Sequence, residues 1–511
     1  MVNIRILAAL LLCTTYTATA QDTAKGLVYD DANQNSTRDP GEAGLPGVCV
    51  SNGKEVIQTD ATGAWTLPVD DDTIFFVVKP ANWMTPVNAE QVPQSFYIHK
   101  PNGSPELEAK GVPPTGPLPA SIDFPLYKRD EPAKFNVLLF GDPQARGLRE
   151  VNFVTHDVVE ECIGTDAAFG ISLGDIVADD VNLFKELNES IAQIGIPWYN
   201  TFGNHDNNRG STGDETSDET FERVYGPGSF AFEYGQVCFL VMDNVYFKPD
   251  GKYEGSFTED QVAFVKNYLS LVPKDKLVVM TMHIPILRVR NRADMYALLA
   301  DRPHTFTISA HTHTQANVFI DKEGGWPSDT PHHHLISATV SGSWWCGTFD
   351  ELGIPHATMN DGAPNGYSTI TFDGNRYSVV FKASRRPADY QMNIYLPSEI
   401  EQASIAATEM LVNVFAGSDR SKVEMQIGKN SDWVALEQTR TIDPECLRMH
   451  QQNEHLNEQV FGWKTDYPSQ TSHMWKGVPP ATLSPGTHTI TVRTTDMYGQ
   501  VWSDHRVLRV R

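Results

Sequence analysis

The sequence predicts an α/β core flanked by two all-β domains. Three observations carry that prediction. Between about residues 134 and 310, short apolar runs recur, and each ends in polar residues. The segments before and after are short, strand-like and rich in turn residues. A length of 511 residues also exceeds what one ordinary domain uses.

The first twenty residues read as a signal peptide, domain 1–20. Arg5 gives a basic start, Ile6 to Cys13 an apolar run too short for a bilayer, and Ala18-Thr19-Ala20 a small-x-small cleavage pattern. Leu12 before Cys13 is not the small residue a lipid-anchor signal needs. No later run reaches transmembrane length. The expectation is an exported protein, periplasmic or extracellular.

Residues 21–128 read as an N-terminal β-sandwich domain. Thr73 to Lys79 is strand-like, with turn chemistry upstream at Asp60-Ala61-Thr62-Gly63. The Pro-rich stretch Gly111 to Pro119 reads as a stiff connector. Asp31, Asn33, Asn35, Asp39 and Glu42 stand at positions one, three, five, nine and twelve of a calcium loop. Ser36 replaces the usual Gly, and no helices flank the loop. A structural calcium site and a hydrogen-bonded Asx-turn are both open readings.

Residues 129–375 carry the α/β pattern. The runs Val137 to Phe140, Ala168 to Leu173, Trp198 to Phe202, Leu277 to Met282 and Phe306 to Ser309 read as strands. A helix is expected over Thr258 to Leu271, opened by the capping box Thr258-x-x-Gln261. Residues 376–511 read as a C-terminal β-sandwich, with strands such as Met410 to Phe415, Val423 to Ile427 and His488 to Arg493. Of the six cysteines, the five beyond the leader are far apart, so most are expected reduced and buried.

Lys+Arg number 40 against 64 Asp+Glu, a net −24. A chain this acidic repels phosphate backbones, which argues against dedicated nucleic-acid binding and disfavours a nuclease. Only a local cationic site, such as bound metal, would attract phosphate.

The strand ends supply such a site. In order they carry Asp142-Pro143-Gln144, Gly174-Asp175, Gly203-Asn204-His205-Asp206, His283 and His311-Thr312-His313. Carboxylate, amide and imidazole suit divalent metals. Residues two apart on an extended segment face one side, so His311 and His313 are expected to aim at one centre.

This ordered set resembles the calcineurin-like metallophosphoesterase superfamily over roughly residues 134–345, in a multidomain exported subset with prealbumin-like N-terminal and β C-terminal domains. The resemblance implies a central four-layer metallophosphoesterase α/β sandwich. It implies two divalent ions (Mn, Fe, Zn or Mg). Asp142, Gln144, Asp175 and His313 would hold the first ion. Asp175, Asn204, His283 and His311 would hold the second, with Asp175 bridging. It implies attack on a phosphate-ester substrate by a hydroxide held between the metals, and points toward a diester. His205 would act as acid or transition-state stabiliser, oriented by Asp206. Gln144 stands where the family has His, Ala310 where it has Gly, and Ala178 where G-D-x-x-D has its second Asp, although Asp179 and Asp180 follow. Trp344, Trp345 and Asn365 resemble a substrate-side loop; packing between domains is the other reading of the two Trp. His332-His333-His334 reads as a solvated turn rather than a metal site. The rival to an enzyme is a non-catalytic binding protein on an inactive phosphoesterase scaffold.

Overall fold

The computed structural model describes residues 22–429, 431–461 and 467–511. The leader, residues 1–20, lies outside the described residues. Among these, no helix is long and apolar enough to cross a membrane.

The central region is a four-layer sandwich of helices, two sheets and helices. The first sheet runs in the order Trp198–Asn200, Phe169–Ser172, Lys134–Phe140, Gly366–Asp373, Arg376–Ala383. Its first three strands are parallel and its last two antiparallel. The second is Phe230–Tyr234, Val237–Val241, Leu277–Thr281, Thr305–Ser309, His332–Ile336, Ala316–Ile320. Its four inner strands are parallel.

The alternation of side chains along each strand builds the layers. Val137 and Leu139 point into the space between the sheets, where Tyr199 stacks on Phe232 at 3.9 Å between ring centroids. Leu138 and Phe140 point outward onto the helices Leu148–Val154 and Phe184–Ile191. In the second sheet Val279 faces inward, while Val278 and Met280 face the helices Glu259–Leu271 and Arg292–Ala300. Burial on both faces is why these strands read as unbroken apolar runs. The helix at Glu259 begins on the expected capping box, with Thr258 and Gln261 bonding each other's backbone N–H.

The flanking regions are two-sheet β structures. In the first, Val28, Trp65 and Phe124 of one sheet pack on Val50, Phe75 and Val77 of the other. In the last, Met392, Ile394, Met410 and Val412 pack on Val423, Met425, Ile490 and Leu508. A helix, Pro444–Phe461, interrupts the last region.

Three expectations need correction. The C-terminal domain does not start at residue 376. Arg376–Ala383 pairs antiparallel with Gly366–Asp373 in the first central sheet, joined by the two-residue turn Gly374-Asn375. The sandwich begins at Met392–Tyr395. The Pro-rich stretch is not a connector between domains. It lies between the strands Phe96–His99 and Phe124–Lys128, and its neighbourhood packs on the central region, where Thr220 Oγ1 donates to Lys110 O and Glu219 approaches Gly111. His332-His333-His334 is no solvated turn but part of a buried strand. Thr305 and Thr307 satisfy both nitrogens of His332; Thr307 and Ser309 satisfy those of His334. Tyr377 and Asn317 satisfy those of His333. All five described cysteines are free thiols, four of them buried.

Candidate metal centre

The polar residues sit just past the carboxyl ends of parallel strands from both sheets, where such sheets place their sites. The turns that carry them are conformationally costly. Among the described residues fourteen non-glycines have positive φ, and eight of these surround the centre: Asp142, Gln144, Asp175, Asp179, His311, His313, Trp344 and Trp345. Left-handed backbone is costly for such residues, so its concentration around one point makes that point the candidate site. Two glycines let the turns meet. A Cβ at Gly174 would lie 2.6 Å from His283 Nδ1, and one at Gly203 would lie 2.0 Å from Asp175 N.

Asp175, His283 and His311 each offer a ligand atom, and these atoms lie within 4.8 Å of one another. His283 is oriented by its backbone neighbour: Nδ1 lies 2.9 Å from Leu173 O and donates to it. Its Nε2 then faces Asn204 Oδ1 at 3.0 Å, His311 Nδ1 at 3.1 Å and Asp175 Oδ2 at 3.2 Å. A neutral His283 would therefore set an acceptor among acceptors, a conflict that either a second proton or a bound cation resolves. Gln144 approaches Asp175 through Nε2 at 3.4 Å, and its buried Oε1 has no hydrogen-bond partner. An orphaned buried carbonyl oxygen beside a carboxylate is a metal ligand's environment. Asp142 is fully buried and accepts His311 N–H.

The charges conflict in the same way. Burial, aided by repulsion from Asp175, lifts Asp142 to about 7. Burial would also lift Asp175, but His283 and His205 hold it well below the usual carboxylate range. Burial opposes charge on His283, yet Asp175 and Asp142 raise it to about 9. Burial and His283 push His311 down to about 3. Among the described residues no lysine or arginine pairs with Asp142 or Asp175, so divalent cations fit this donor set.

His311 and His313 do not lie on the extended segment that the two-residue spacing suggested. Both residues are left-handed, at φ 70° and 52°. His311 joins the three-residue group, whereas His313 gives Nδ1–H to Gly342 O and leans on Trp344.

Asp206 does not orient His205. Its carboxylate is consumed by the backbone, accepting Val177 N–H at 3.1 Å and Gly203 N–H at 2.9 Å, so it ties two site turns together. Asp179 takes the expected role: its Oδ1 lies 2.6 Å from His205 Nδ1, and its other oxygen pairs with Arg209 at 3.1 Å. Burial would lower the His205 pKa, but Asp175 and Asp179 raise it to about 9. The signal was present, since Asp179 stands one residue beyond the motif's second Asp.

The substrate-side expectations divide. Trp344 is half-buried, with its ring 5.4 Å from that of His205 and 5.3 Å from that of His313. Trp345 is not a substrate wall: it is fully buried, packs on Phe153 and donates Nε1–H to Pro143 O. Asn365 is spent on structure, donating to Asp157 Oδ2 at 2.6 Å and Val340 O at 3.0 Å. Sequence reasoning missed Arg146, whose guanidinium clamps Glu150 and also donates to Trp344 O. It also missed Tyr253, whose ring stands edge-on to His311 at 6.1 Å.

The loop Asp31, Asn33, Asn35, Asp39, Glu42 comes together far along the chain from this centre. Asp31 accepts the N–H groups of Asn35 and Ser36, and the Asn33 and Asn35 amides donate to Asp39. Glu42 accepts from Ala32 and Asp39 N–H. Asn33 and Asn35 form Asx-turns by accepting the N–H groups of Asn35 and Thr37, and left-handed Ser36 replaces glycine; these bonds fit either reading of the loop.

Sequence models of one family match three parts of the chain. "Calcineurin-like phosphoesterase" matches residues 135–315, "N terminal of Calcineurin-like phosphoesterase" 32–108, and "C terminal of Calcineurin-like phosphoesterase" 334–502. The chain belongs to the calcineurin-like phosphoesterases. A search of curated proteins found no match. Among solved structures, one that matches is a purple acid phosphatase from yellow lupin (Lupinus luteus) seeds, at 10% identity and a TM-score of 0.36, covering 71% of this chain and 73% of that one. Membership makes this calcineurin-like phosphoesterase a metal-dependent phosphoric ester hydrolase by family, and the geometry above is where its divalent metal fits.

Proposed function

We propose that the protein is an exported phosphoesterase that holds two divalent ions and cleaves a phosphodiester. The observation that carries the catalytic reading is the convergence of Asp175, His283 and His311 ligand atoms within 4.8 Å. Asp142, Gln144, Asp175 and His313 are assigned to one ion, and Asp175, Asn204, His283 and His311 to the other. Bound divalent ions supply Lewis-acid neutralisation of charge on the transferring phosphoryl group. A Gln amide oxygen is a harder ligand than imidazole, so Gln144 favours Mn²⁺, Mg²⁺ or iron over Zn²⁺.

The chain's own residues do the rest. Asp179 occupies His205 Nδ1, which leaves Nε2 as the atom offered to the leaving oxygen. Asp206 fixes the distance between the Asp175 and Asn204 turns through its two backbone bonds. Trp344, held by Arg146, walls one side of the centre and limits water there. The diester preference rests on the family resemblance, and export rests on the leader pattern of residues 1–20.

The test is hydrolysis of bis(p-nitrophenyl) phosphate beside p-nitrophenyl phosphate, with Mn²⁺, Zn²⁺, Mg²⁺ or chelator. Metal-dependent turnover with the diester faster is expected. A faster monoester would overturn the diester assignment. No turnover, together with no bound metal, would replace the enzyme with the inactive-scaffold reading.

A further inference from the structure

A second concave site lies where the catalytic region meets the C-terminal sandwich. It is a cavity of about 590 Å³. Ligand pockets run about 300–1,000 Å³. Its walls come from residues 348–365, from the crossing segment between Ser384 and Tyr395, and from the first turns of the helix Pro444–Phe461. One loop borders both this cavity and the metal centre. Gly342 O takes the His313 Nδ1–H, and a Cβ at Gly342 would meet Ala357 O and, at 2.9 Å, Asn365 Cβ in the cavity wall.

The lining has a definite chemistry. It contains four carboxylates and four arginines, so the site is neutral in a chain of net charge −24. Arg385 bridges Asp157 and Asp350, and Arg448 pairs with Glu445. These pairs hold planar groups in fixed orientations while leaving further donor and acceptor positions. Tyr390 and Tyr395 add aromatic rings, with Arg386 over the Tyr390 ring. Ser384 lies on the wall with 7% exposure, and its Oγ is buried without a hydrogen-bond partner. A buried polar group left unpaired at a cavity wall marks a place for a ligand's donor or acceptor.

We propose that this cavity binds a neutral sugar. Balanced charge gives no attraction for an anion. The wall carries few apolar side chains, so it offers no floor for a lipid chain or a base. Fixed planar donors and acceptors, two aromatic rings and an unpaired hydroxyl match the vicinal hydroxyls and apolar faces of a pyranose ring. The sugar is either a free saccharide or a substituent of the phosphate ester.

Saturation-transfer NMR tests this on the full chain. The probes are the methyl glycosides of glucose, galactose, mannose and N-acetylglucosamine, with maltose and chitobiose, each at millimolar concentration. At least one is expected to bind the wild type. Arg386→Ala, at an exposed position, is expected to weaken it about tenfold, and Ser384→Met to abolish it by filling the wall. Absence of transfer to every sugar overturns the proposal. Binding unchanged in both variants overturns it too, because the sugar is then elsewhere. Competition by inorganic phosphate would show an anion site and overturn the neutral-ligand claim.

A kinetic arm separates the two sources. Glucose 6-(p-nitrophenyl phosphate) and ethyl p-nitrophenyl phosphate release the same phenolate. A lower KM for the sugar ester, lost in Arg386→Ala, supports the sugar as part of the substrate. Equal KM values alongside NMR binding support a separate saccharide site. The NMR readout is independent of hydrolysis, so failure to cleave either ester counts against the phosphoesterase reading alone.

Discussion

Two groups of histidines come from neighbouring strands of one sheet and end in opposite chemistry. His283 and His311 lie two residues beyond the strands Leu277–Thr281 and Thr305–Ser309. His332, His333 and His334 lie inside the adjoining strand. Inside the strand, hydroxyls and an amide meet every ring nitrogen, and Trp326, Phe306 and Phe319 stack on the rings. Past the strand ends, His283 spends one nitrogen on a backbone carbonyl, and its other meets Asn204, His311 and Asp175 together. The candidate ligands are therefore set apart less by their neighbours in sequence than by the cluster of metal-ligating atoms that their ring nitrogens join.

The largest expected effect falls on Asp175, the ligand proposed to be shared by two ions. Asp175→Ala should drop activity to background and release bound metal, read by elemental analysis beside an ester assay. Full metal occupancy in that variant would break the ligand assignment. His205→Ala should keep the metal and lose roughly 10²–10⁴-fold in kcat, the range of a lost general acid; a near-normal rate removes it from the mechanism.

Asp179 and Asp206 sharpen the account further. Asp179→Asn should cost about ten- to hundredfold in kcat with metal retained, as for other orienting partners. Asp206→Asn should act first on stability, lowering Tm, because its carboxylate holds Val177 and Gly203 N–H. Equal kinetic and thermal behaviour of the two variants would erase the distinction between them.

The smallest effect tests the in-strand group. Burial holds His332 and His333 down at about 3, and His334 well below its ordinary 6.5. In the unfolded chain these rings take protons near 6.5. The unfolded state then binds more protons, so their contribution is full above pH 6.5 and fades as pH falls from there toward 3. The denaturation midpoint of His334→Gln should fall less steeply with acid than that of wild type, with unchanged metal content. Parallel curves would contradict the buried, neutral assignment.

Much of the fold was legible because the core strands are buried on both faces and the Thr258 capping box is local chemistry. The ordered strand-end residues were legible because each follows an apolar run. What escaped depends on register and distance. Gly374-Asn375 looks like a boundary in sequence, yet it is the turn of a hairpin whose partner strand lies hundreds of residues upstream. Trp344 and Trp345 are adjacent and both left-handed, and only packing on Phe153 decides which one is core. Asp179 was displaced by one residue from the familiar spacing, and a left-handed turn brings it back onto His205. The cavity beside Ser384 joins segments far apart in the chain, which no local pattern foreshadows.

The most direct measurement is elemental analysis of untagged protein for three chains: wild type, Asp175→Ala, and a variant with His332, His333 and His334 replaced by Gln. The account predicts two divalent ions per wild-type chain, their loss in Asp175→Ala, and the wild-type content in the folded triple variant. Metal retained by Asp175→Ala and lost from the triple variant would contradict it, because the ions would then sit in the strand and not at the strand ends.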